Sequence, residues 1–512
     1  MPIEVRAAIF MRLPQYYRLD SVVPSLSGVA VIQRKNRTEF GLECIIQARR
    51  QASFRFSIEQ ENPMFLSRSL LLLLLFHGTL PAADPRPRII IETDAGGDPD
   101  DEQSLVRFLL YTNGLDVVGI IPNRPRARPG ENRNSVRDGL GIVRRMIDAY
   151  GECYSHLVKH DSRYPTAAEL QRRTVAGYDE VDEGVQLVLR EVDADDPRPL
   201  WFCNWGTDDE SGVSCLKRAL DCVLKERGPD GYAEFKRKIH LASDDKFGEH
   251  TTTIEPPFPL WVDTFRPERD RKRWYHRFSA LTAKAGGFEI RRDVLEHHGP
   301  LGPLYPLNTT HPQKEGDTMT FLYLLPAGLS DPLQPTWGSW GGRHALNENF
   351  PGKPYYWASP TDTWNGKTSR DNILLRWAAD LQNDFRARMD WTIRDFHEAN
   401  HPPQISLDIS ETSTSTESGI VRLTAKPGAT LVFDASQSTD PDGNRLIYEW
   451  FPYPEAGTCR ESIQISAPEA PRTQVLLPDV PESATAHLIL RIRDDGDPPL
   501  CSYRRIVVTI GE

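Results

Sequence analysis

The sequence predicts an α/β fold, a Rossmann-like open and mostly parallel sheet with helices on both faces, followed by a small all-β immunoglobulin-like sandwich. Three observations predict it. Ile89-Ile90-Ile91-Glu92-Thr93 is a short β-branched run that Gly96, Gly97 and Pro99 break into a turn, and Leu105, Val106, Phe108 and Leu109 follow at helical spacing. Strand and helix signals then alternate to about residue 400, the pattern of a parallel sheet covered on both faces. From residue 404 the pattern becomes short alternating strands separated by turn residues, as in a sandwich.

A chain of 512 residues is expected to hold two or three domains, and 39% apolar residues suffice for their cores. The net charge of −11 argues against a nucleic acid polymer as partner. Residues 1–63 show no sustained period. Met64-Phe65-Leu66-Ser67-Arg68-Ser69 then precedes the apolar block Leu70 to Phe76, and Thr79-Leu80-Pro81-Ala82-Ala83 follows. One positive charge, a short apolar core and small residues at the exit are the layout of a signal peptide over 64–83. The block is too short for a stable membrane span. Translation is therefore expected to start at Met64, residues 1–63 being an extension foreign to the native protein, and the product to be exported to the periplasm or the outside; a real disordered extension or a membrane-anchoring segment is the competing account.

The large domain is expected over 87–400. After the first strand and helix come the strand Val117–Ile121 and a helical run from about Ser135 to Tyr150. A helix around Glu183–Val192 leads to the strand Leu200–Asn204, which ends at Trp205-Gly206-Thr207. A further strand, Lys238–Ala242, ends at Ser243-Asp244-Asp245. His401-Pro402-Pro403 reads as a linker because paired prolines end a helix. In the small domain, 404–512, strands are expected over 429–436, 445–451, 486–493 and 503–510, with Asp440-Pro441-Asp442-Gly443-Asn444 as a turn.

The chemistry is concentrated in the first turn. Asp94, Asp98, Asp100 and Asp101 sit where the strand ends, the place where open α/β sheets bind ligands. Helix capping accounts for one or two of them. Four carboxylates this close repel one another, and a hard oxygen-seeking cation such as Ca²⁺ removes that cost. Phosphate would be repelled.

The turn resembles the N-terminal signature of the inosine-uridine nucleoside hydrolases, a strand followed by Asp-x-x-x-Asp-Asp and a helix. It is more closely similar to a nucleoside-hydrolase-like family of exported bacterial proteins, often described as cellulose-binding. The run Thr93 to Arg107 has that family's form, Thr-Asp-x-Gly-Gly-Asp-Pro-Asp-Asp-Glu-Gln-Ser-Leu-Val-Arg. Against the hydrolases it carries two extra residues, placed at Gly97-Asp98. Lys314-Glu315-Gly316-Asp317-Thr318 is a second family motif, and Asp317 alone would read as a helix N-cap. Ser438 to Gly443 with Trp450 resembles PKD and related immunoglobulin-like modules, and Tyr453-Pro454-Glu455-Ala456-Gly457 matches the family's C-terminal pattern. The resemblance covers about 87–512.

It implies a calcium site formed by Asp94, Asp101, Asp317 and the Thr207 carbonyl, with Asp94 also the catalytic base. Asp100 would bind ribose-like hydroxyls. Asn204 is a further candidate on the substrate side, and the residues of Trp337-Gly338-Ser339-Trp340-Gly341-Gly342 themselves suggest flat faces offered to a sugar by Trp337 and Trp340. Two core tryptophans beside a tight loop are the competing account. The chain departs from the pattern in three places. Pro122-Asn123 and an Arg/Pro-rich loop replace the family's strand end. Ser243-Asp244-Asp245 lacks a glutamine, and an exposed turn explains its acids equally well. Gly316 stands where the hydrolases have His, so that route to leaving-group protonation is absent. His298, His311 and His344 could act as acids near neutral pH, without a placed partner.

Of the seven cysteines, Cys203, Cys215 and Cys222 show no zinc spacing. Cys459 and Cys501, alone in the small domain, are the expected disulfide, while Cys203, Cys215 and Cys222 read as free thiols. Trp364 and Trp377 read as core. The function expected is a calcium-dependent hydrolase of N-glycosidic or related glycosyl bonds, acting on a sugar-containing small molecule or glycan. The alternative is a non-catalytic glycan-binding protein using the same pocket and the sandwich. Oligomeric state is not legible.

Overall fold

The computed structural model describes residues 41–47, 53–59, 86–128, 136–178, 182–206, 214–242, 258–262, 264, 277–307, 313–346, 356–409, 414–417 and 419–511. The chain divides into two compact units, Met1–Asp84 and Pro85–Glu512. In the first, β1 (Gly41–Gln47) and β2 (Ser53–Glu59) form an antiparallel pair. Phe54, Phe56 and Ile58 alternate along β2, a strand signal within the stretch read as having no sustained period. The signal-like segment 64–83 lies outside the described residues.

The second unit is built on β3 (Arg88–Thr93), β4 (Asp116–Pro122), β5 (Leu200–Asn204), β6 (Ile239–Ala242), β7 (Leu260–Val262), β8 (Ala345–Leu346) and β9 (Tyr356–Ala358). Their order in the sheet is β4-β3-β5-β6-β7-β9-β8, parallel throughout except for the β8–β9 pair at the edge. The helices α1 (Pro99–Leu109), α2 (Gly139–His160), α3 (Glu183–Asp193), α4 (Cys215–Lys236), α5 (Thr318–Leu324) and α6 (Ala378–Asp390) cover both faces. Period-two geometry divides β3 between the layers. Ile89 and Ile91 enter the core shared with α1, α2, α5 and α6, and Ile90 enters the one shared with α3 and α4. The helix expected to begin near Ser135 starts at Gly139, because Asp138 accepts the Gly141 N–H at 2.8 Å as its N-cap. It runs on to His160, the buried Cys153 and Leu157 continuing its apolar stripe.

The chain leaves β3 through α1 and returns as β4 on one side, whereas β5 lies on the other. This reversal falls at the carboxyl ends of β3 and β5, the position at which doubly wound sheets bind their ligands.

A small hairpin, β10 (Asp362–Trp364) with β11 (Lys367–Ser369), precedes the sandwich. The sandwich contains β12 (Asp408–Ile409), β13 (Thr414–Glu417), β14 (Ile420–Ala425), β15 (Thr430–Asp434), β16 (Ile447–Pro452), β17 (Gln464–Ile465), β18 (Arg472–Leu476), β19 (Ala484–Arg493) and β20 (Cys501–Ile510). One sheet has the order β12-β15-β18-β17 and the other β13-β14-β20-β19-β16. The two folds are not independent bodies. Tyr453, Ile489, Leu500 and Tyr503 of the sandwich share one apolar core with Phe321 and Trp377 of the large fold. His401, in the expected linker, is buried.

The expected disulfide is not formed: Cys459 and Cys501 are both free and buried. Sheet register explains why. The Cys459 N–H bonds the Thr485 carbonyl, whereas Cys501 pairs with Arg493 at the opposite end of β19. At roughly 3.3 Å per residue the intervening strand puts about 25 Å between these points, far beyond the reach of about 7 Å between bridged Cα atoms.

Candidate metal centre

The acidic turn is built by close approach. Gly96 has φ +94°, and the Gly97 N–H donates to the Asp94 carbonyl at 2.9 Å. Asp98 occupies the N-cap position of α1, but its side chain caps nothing. Its carboxylate accepts from Lys314 Nζ instead, 2.5 Å from Oδ1. Asp100 and Asp101 lie on the first turn of α1 and are 3% and 2% exposed. Asp101 Oδ1 accepts from the Asp94 N–H at 3.1 Å and from the Thr93 hydroxyl.

Asp317 arrives from a distant part of the sequence, and α1 is what holds it. Gln103 Oε1 accepts the backbone N–H groups of Lys314 and Glu315, at 2.7 and 3.2 Å. Arg107 Nε and Nη2 donate to Glu315 Oε2 and Oε1 at 2.5 and 3.1 Å, both side chains being fully buried. Tyr305 Oη and Gln313 Nε2 donate to the same carboxylate, each at 2.8 Å. Glu315 has φ +46°, a conformation rare outside glycine, and these bonds hold the turn that carries the chain to Asp317.

Asp317 stands at the N-cap position of α5 without making a capping hydrogen bond, and its buried Oδ2 has no partner. One carboxylate oxygen from each of Asp100, Asp101 and Asp317 lies within 4.8 Å of the others. Burial pushes Asp101 and Asp317 well above the usual carboxylate range, and repulsion adds to it, first from Asp317 on Asp101 and from Asp100 on Asp317. Burial likewise holds Asp100 at about 7, with Asp98 raising it and Lys314 opposing. Hard oxygen donors, mutual repulsion and an orphaned buried oxygen together fit a cation of the calcium type.

Asp94 is beside this set and not in it. Its Oδ2 accepts from Arg124 Nη2 at 2.7 Å and its carbonyl from Arg124 Nε at 3.2 Å. Burial raises its carboxyl, while bonds to Asp101 and Arg124 oppose the rise. The structure thus brings Asp100 into the group in which the sequence placed Asp94. Neither Arg124 nor Gln103 was named from sequence, although the Arg/Pro-rich departure after β4 carried the first.

The other expected contributors fall elsewhere. Asn204 is buried, and its Oδ1 accepts the Gly206 N–H at 3.1 Å, which closes its own turn. Trp337 and Trp340 are 8% and 5% exposed, so neither offers a face to a sugar. Trp337 meets His487 edge-on beneath Arg422 and Arg505, and Trp340 packs against Tyr503, so both belong to the seam with the sandwich. Trp377 is core as expected, and Trp364 is half-buried. His298 faces Asp390 at 3.2 Å, and His344 is buried against Tyr323. Thr207, Asp244, Asp245 and His311 lie outside the described residues.

Residues 88–344 match the model of a family described as cellulose-binding Sde182, nucleoside hydrolase-like domain. Residues 430–510 match that of the cellulose-binding protein Sde0182 C-terminal domain. A solved structure from Saccharophagus degradans, described as a nucleoside hydrolase-related hypothetical protein associated with carbohydrate metabolism, is similar at 29% identity and a TM-score of 0.63. The similarity covers 83% of this chain and 100% of that one. No curated protein matches the chain.

Proposed function

The chain belongs to the cellulose-binding Sde182 family with a nucleoside hydrolase-like domain, and on that premise we propose that it is an exported, calcium-dependent hydrolase of N-glycosidic or related glycosyl bonds. The observation that carries the proposal is the convergence of Asp100, Asp101 and Asp317 around an unpartnered carboxylate oxygen at the switch point of the sheet. The family description supports a carbohydrate as the ligand, a glycan or a sugar-containing small molecule. No helix among the described residues is long and apolar enough to cross a membrane.

Asp100, Asp101 and Asp317 would hold the ion, with Thr207 the candidate for a backbone ligand. When bound, calcium would supply a Lewis acid that orders sugar hydroxyls and makes a water more acidic. Asp94, whose charge is felt by all three carboxylates, is the group assigned to take the proton of the attacking water. The surrounding carboxylates would stabilise positive charge developing at the anomeric carbon. Arg124 and Lys314 keep the pocket from carrying uncompensated negative charge.

A second reading, calcium-dependent binding without turnover, is favoured by one observation. A Cβ at position 316 would lie 2.8 Å from Asp100 Oδ2, so the position that carries histidine in the resembling hydrolases has no room for a leaving-group acid. The two readings separate in one experiment. The full chain, with calcium or with chelator, is incubated with nucleosides, p-nitrophenyl glycosides and cello-oligosaccharides. Calcium-dependent release of a free sugar that Asp101→Asn abolishes supports hydrolysis. Calcium-dependent retention on a glycan column without release of product establishes the binding reading in its place.

A further inference from the structure

Arg124 follows β4 and is 4% exposed. It holds Asp94 at two points, Nη2 to Asp94 Oδ2 and Nε to the Asp94 carbonyl. The pocket wall is shaped to admit that contact. A Cβ on Gly97 would stand 3.0 Å from Arg124 Nε, from the Asp94 carbonyl and from Asp94 Oδ2 alike. On the other side a Cβ on Gly206 would stand 3.2 Å from Asp94 Cγ. Asn123 donates to the Gly206 carbonyl at 2.8 Å and so fixes that side from the residue next to Arg124. The Asp94 carboxylate is wedged between two glycines and clamped by a guanidinium. Gly97 belongs to the inserted pair and Arg124 to the altered loop after β4, so two departures from the hydrolase pattern meet at one carboxylate.

An arginine and a cation compete for the same carboxylate lone pairs, and Arg124 already occupies Asp94 Oδ2 with a charge-assisted bond while it holds the backbone of the same residue. We propose that Arg124 is a positioning residue that keeps Asp94 out of the cation's ligand set, so that Asp100, Asp101 and Asp317 are the only carboxylates that hold a hard divalent cation there. This rests on the reading of that trio as a cation site, which itself stands on the orphaned Asp317 Oδ2 as well as on the cluster of charges. It follows that removing Arg124 turns Asp94 into a fourth carboxylate ligand.

Isothermal titration of the full chain with calcium chloride tests this without reference to turnover. The proteins are wild type, Asp94→Asn, Arg124→Met, Arg124→Gln and the Asp94→Asn/Arg124→Met double variant, each first shown to melt cooperatively. Asp94→Asn should bind within about threefold of wild type, Arg124→Met and Arg124→Gln about tenfold more tightly, and the double variant should lose that gain. A tenfold or greater loss in Asp94→Asn with Arg124 intact would make Asp94 a ligand in its own right and overturn the role given to Arg124. Unchanged affinity in both Arg124 variants would overturn it too. Binding confined to the Arg124 variants would show that three carboxylates do not suffice. No binding by any of the five proteins would instead bring down the cation reading itself.

Discussion

Gly316 leaves room for the Asp100 carboxylate and for nothing more: a Cβ at 316 would stand 2.8 Å from Asp100 Oδ2. A contact that short forces one partner to move. The Gly316 backbone is fixed by its neighbours, since Gln103 holds Lys314 and Glu315, so the carboxylate has to give way. Gly316→Ala should therefore weaken calcium binding about tenfold, roughly 1.4 kcal/mol, while leaving the melting temperature in chelator nearly unchanged. Gly316→His should behave likewise and gain no hydrolytic activity. Calcium titration of the three proteins decides this, and unchanged affinity in Gly316→Ala would refute it.

The pair that holds the second acidic segment should dominate stability. Arg107 and Glu315 are fully buried, and Arg107 also donates to Gln382 at 2.8 Å and stacks over Phe385 at 3.7 Å. Removing one partner of such a pair strands the other charge in the core, at a cost of about 3–5 kcal/mol. Glu315→Gln and Arg107→Met should each fall in that range by urea unfolding, and both should lose calcium binding because Asp317 is no longer held. Full calcium affinity in a folded Glu315→Gln variant would separate Asp317 from this scaffold.

The seam between the two folds should be sensitive to acid. Arg505, on β20, is buried and has no acidic partner among the described residues; it donates to the carbonyls of Leu329, Trp337 and Gly338 and to His487 Nδ1 at 3.0 Å. His487 must be neutral to accept that bond. Burial, and then the positive charges of Arg505 and Arg422, hold its pKa down to about 2 from the ordinary 6.5. A depressed folded-state value means the unfolded chain binds the proton first. Stability is then complete above pH 6.5 and falls as pH drops toward the folded value, by up to about 1.4 kcal/mol per pH unit from this group. His487→Gln keeps an acceptor for Arg505 and removes the titration, so its stability should fall less steeply between pH 6.5 and 4. Parallel slopes for the two proteins would show that His487 is not the group responsible.

The parts of the molecule that local chemistry dictates were legible in advance. β3 and α1 follow from Ile89-Ile90-Ile91 and the glycines after them, and β5 and α3 appear within a residue of where periodicity put them. Asp317 could be associated with the acidic turn only by resemblance, because the bonds that carry it there, from Gln103 and Arg107, run between segments with no local relation. The disulfide was misjudged because register within the sandwich sets Cys459 and Cys501 at opposite ends of β19, and the burial of Trp337 and Trp340 follows from how the sandwich packs on the large fold; composition carries no trace of either. The short β12, β13 and β17 were missed because two to four residues give no period to read.

The stability of Asp317→Asn should reverse with calcium. Without the ion, Asp317 is a buried carboxylate raised by burial and by repulsion from Asp100, Asp94 and Asp98, and its Oδ2 bonds nothing. Asparagine has nearly the same shape, carries no charge, and can donate from its amide to the neighbouring carboxylates. The substitution also loses no cap, since the Asp317 side chain does not cap α5. Only an interaction with the helix dipole is forfeited, roughly 0.3–1 kcal/mol. In chelator the variant should therefore melt at or above the wild-type temperature. In calcium the wild type gains about 2.7 kcal/mol once the free ion is a hundredfold above its dissociation constant. The variant, short of one of three carboxylates, gains little, so the order of the two melting curves inverts. Differential scanning calorimetry of both proteins in chelator and in millimolar calcium reads the inversion directly. A variant that is less stable in chelator yet rises with calcium as much as wild type would mean that Asp317 serves the fold of α5 and not a cation.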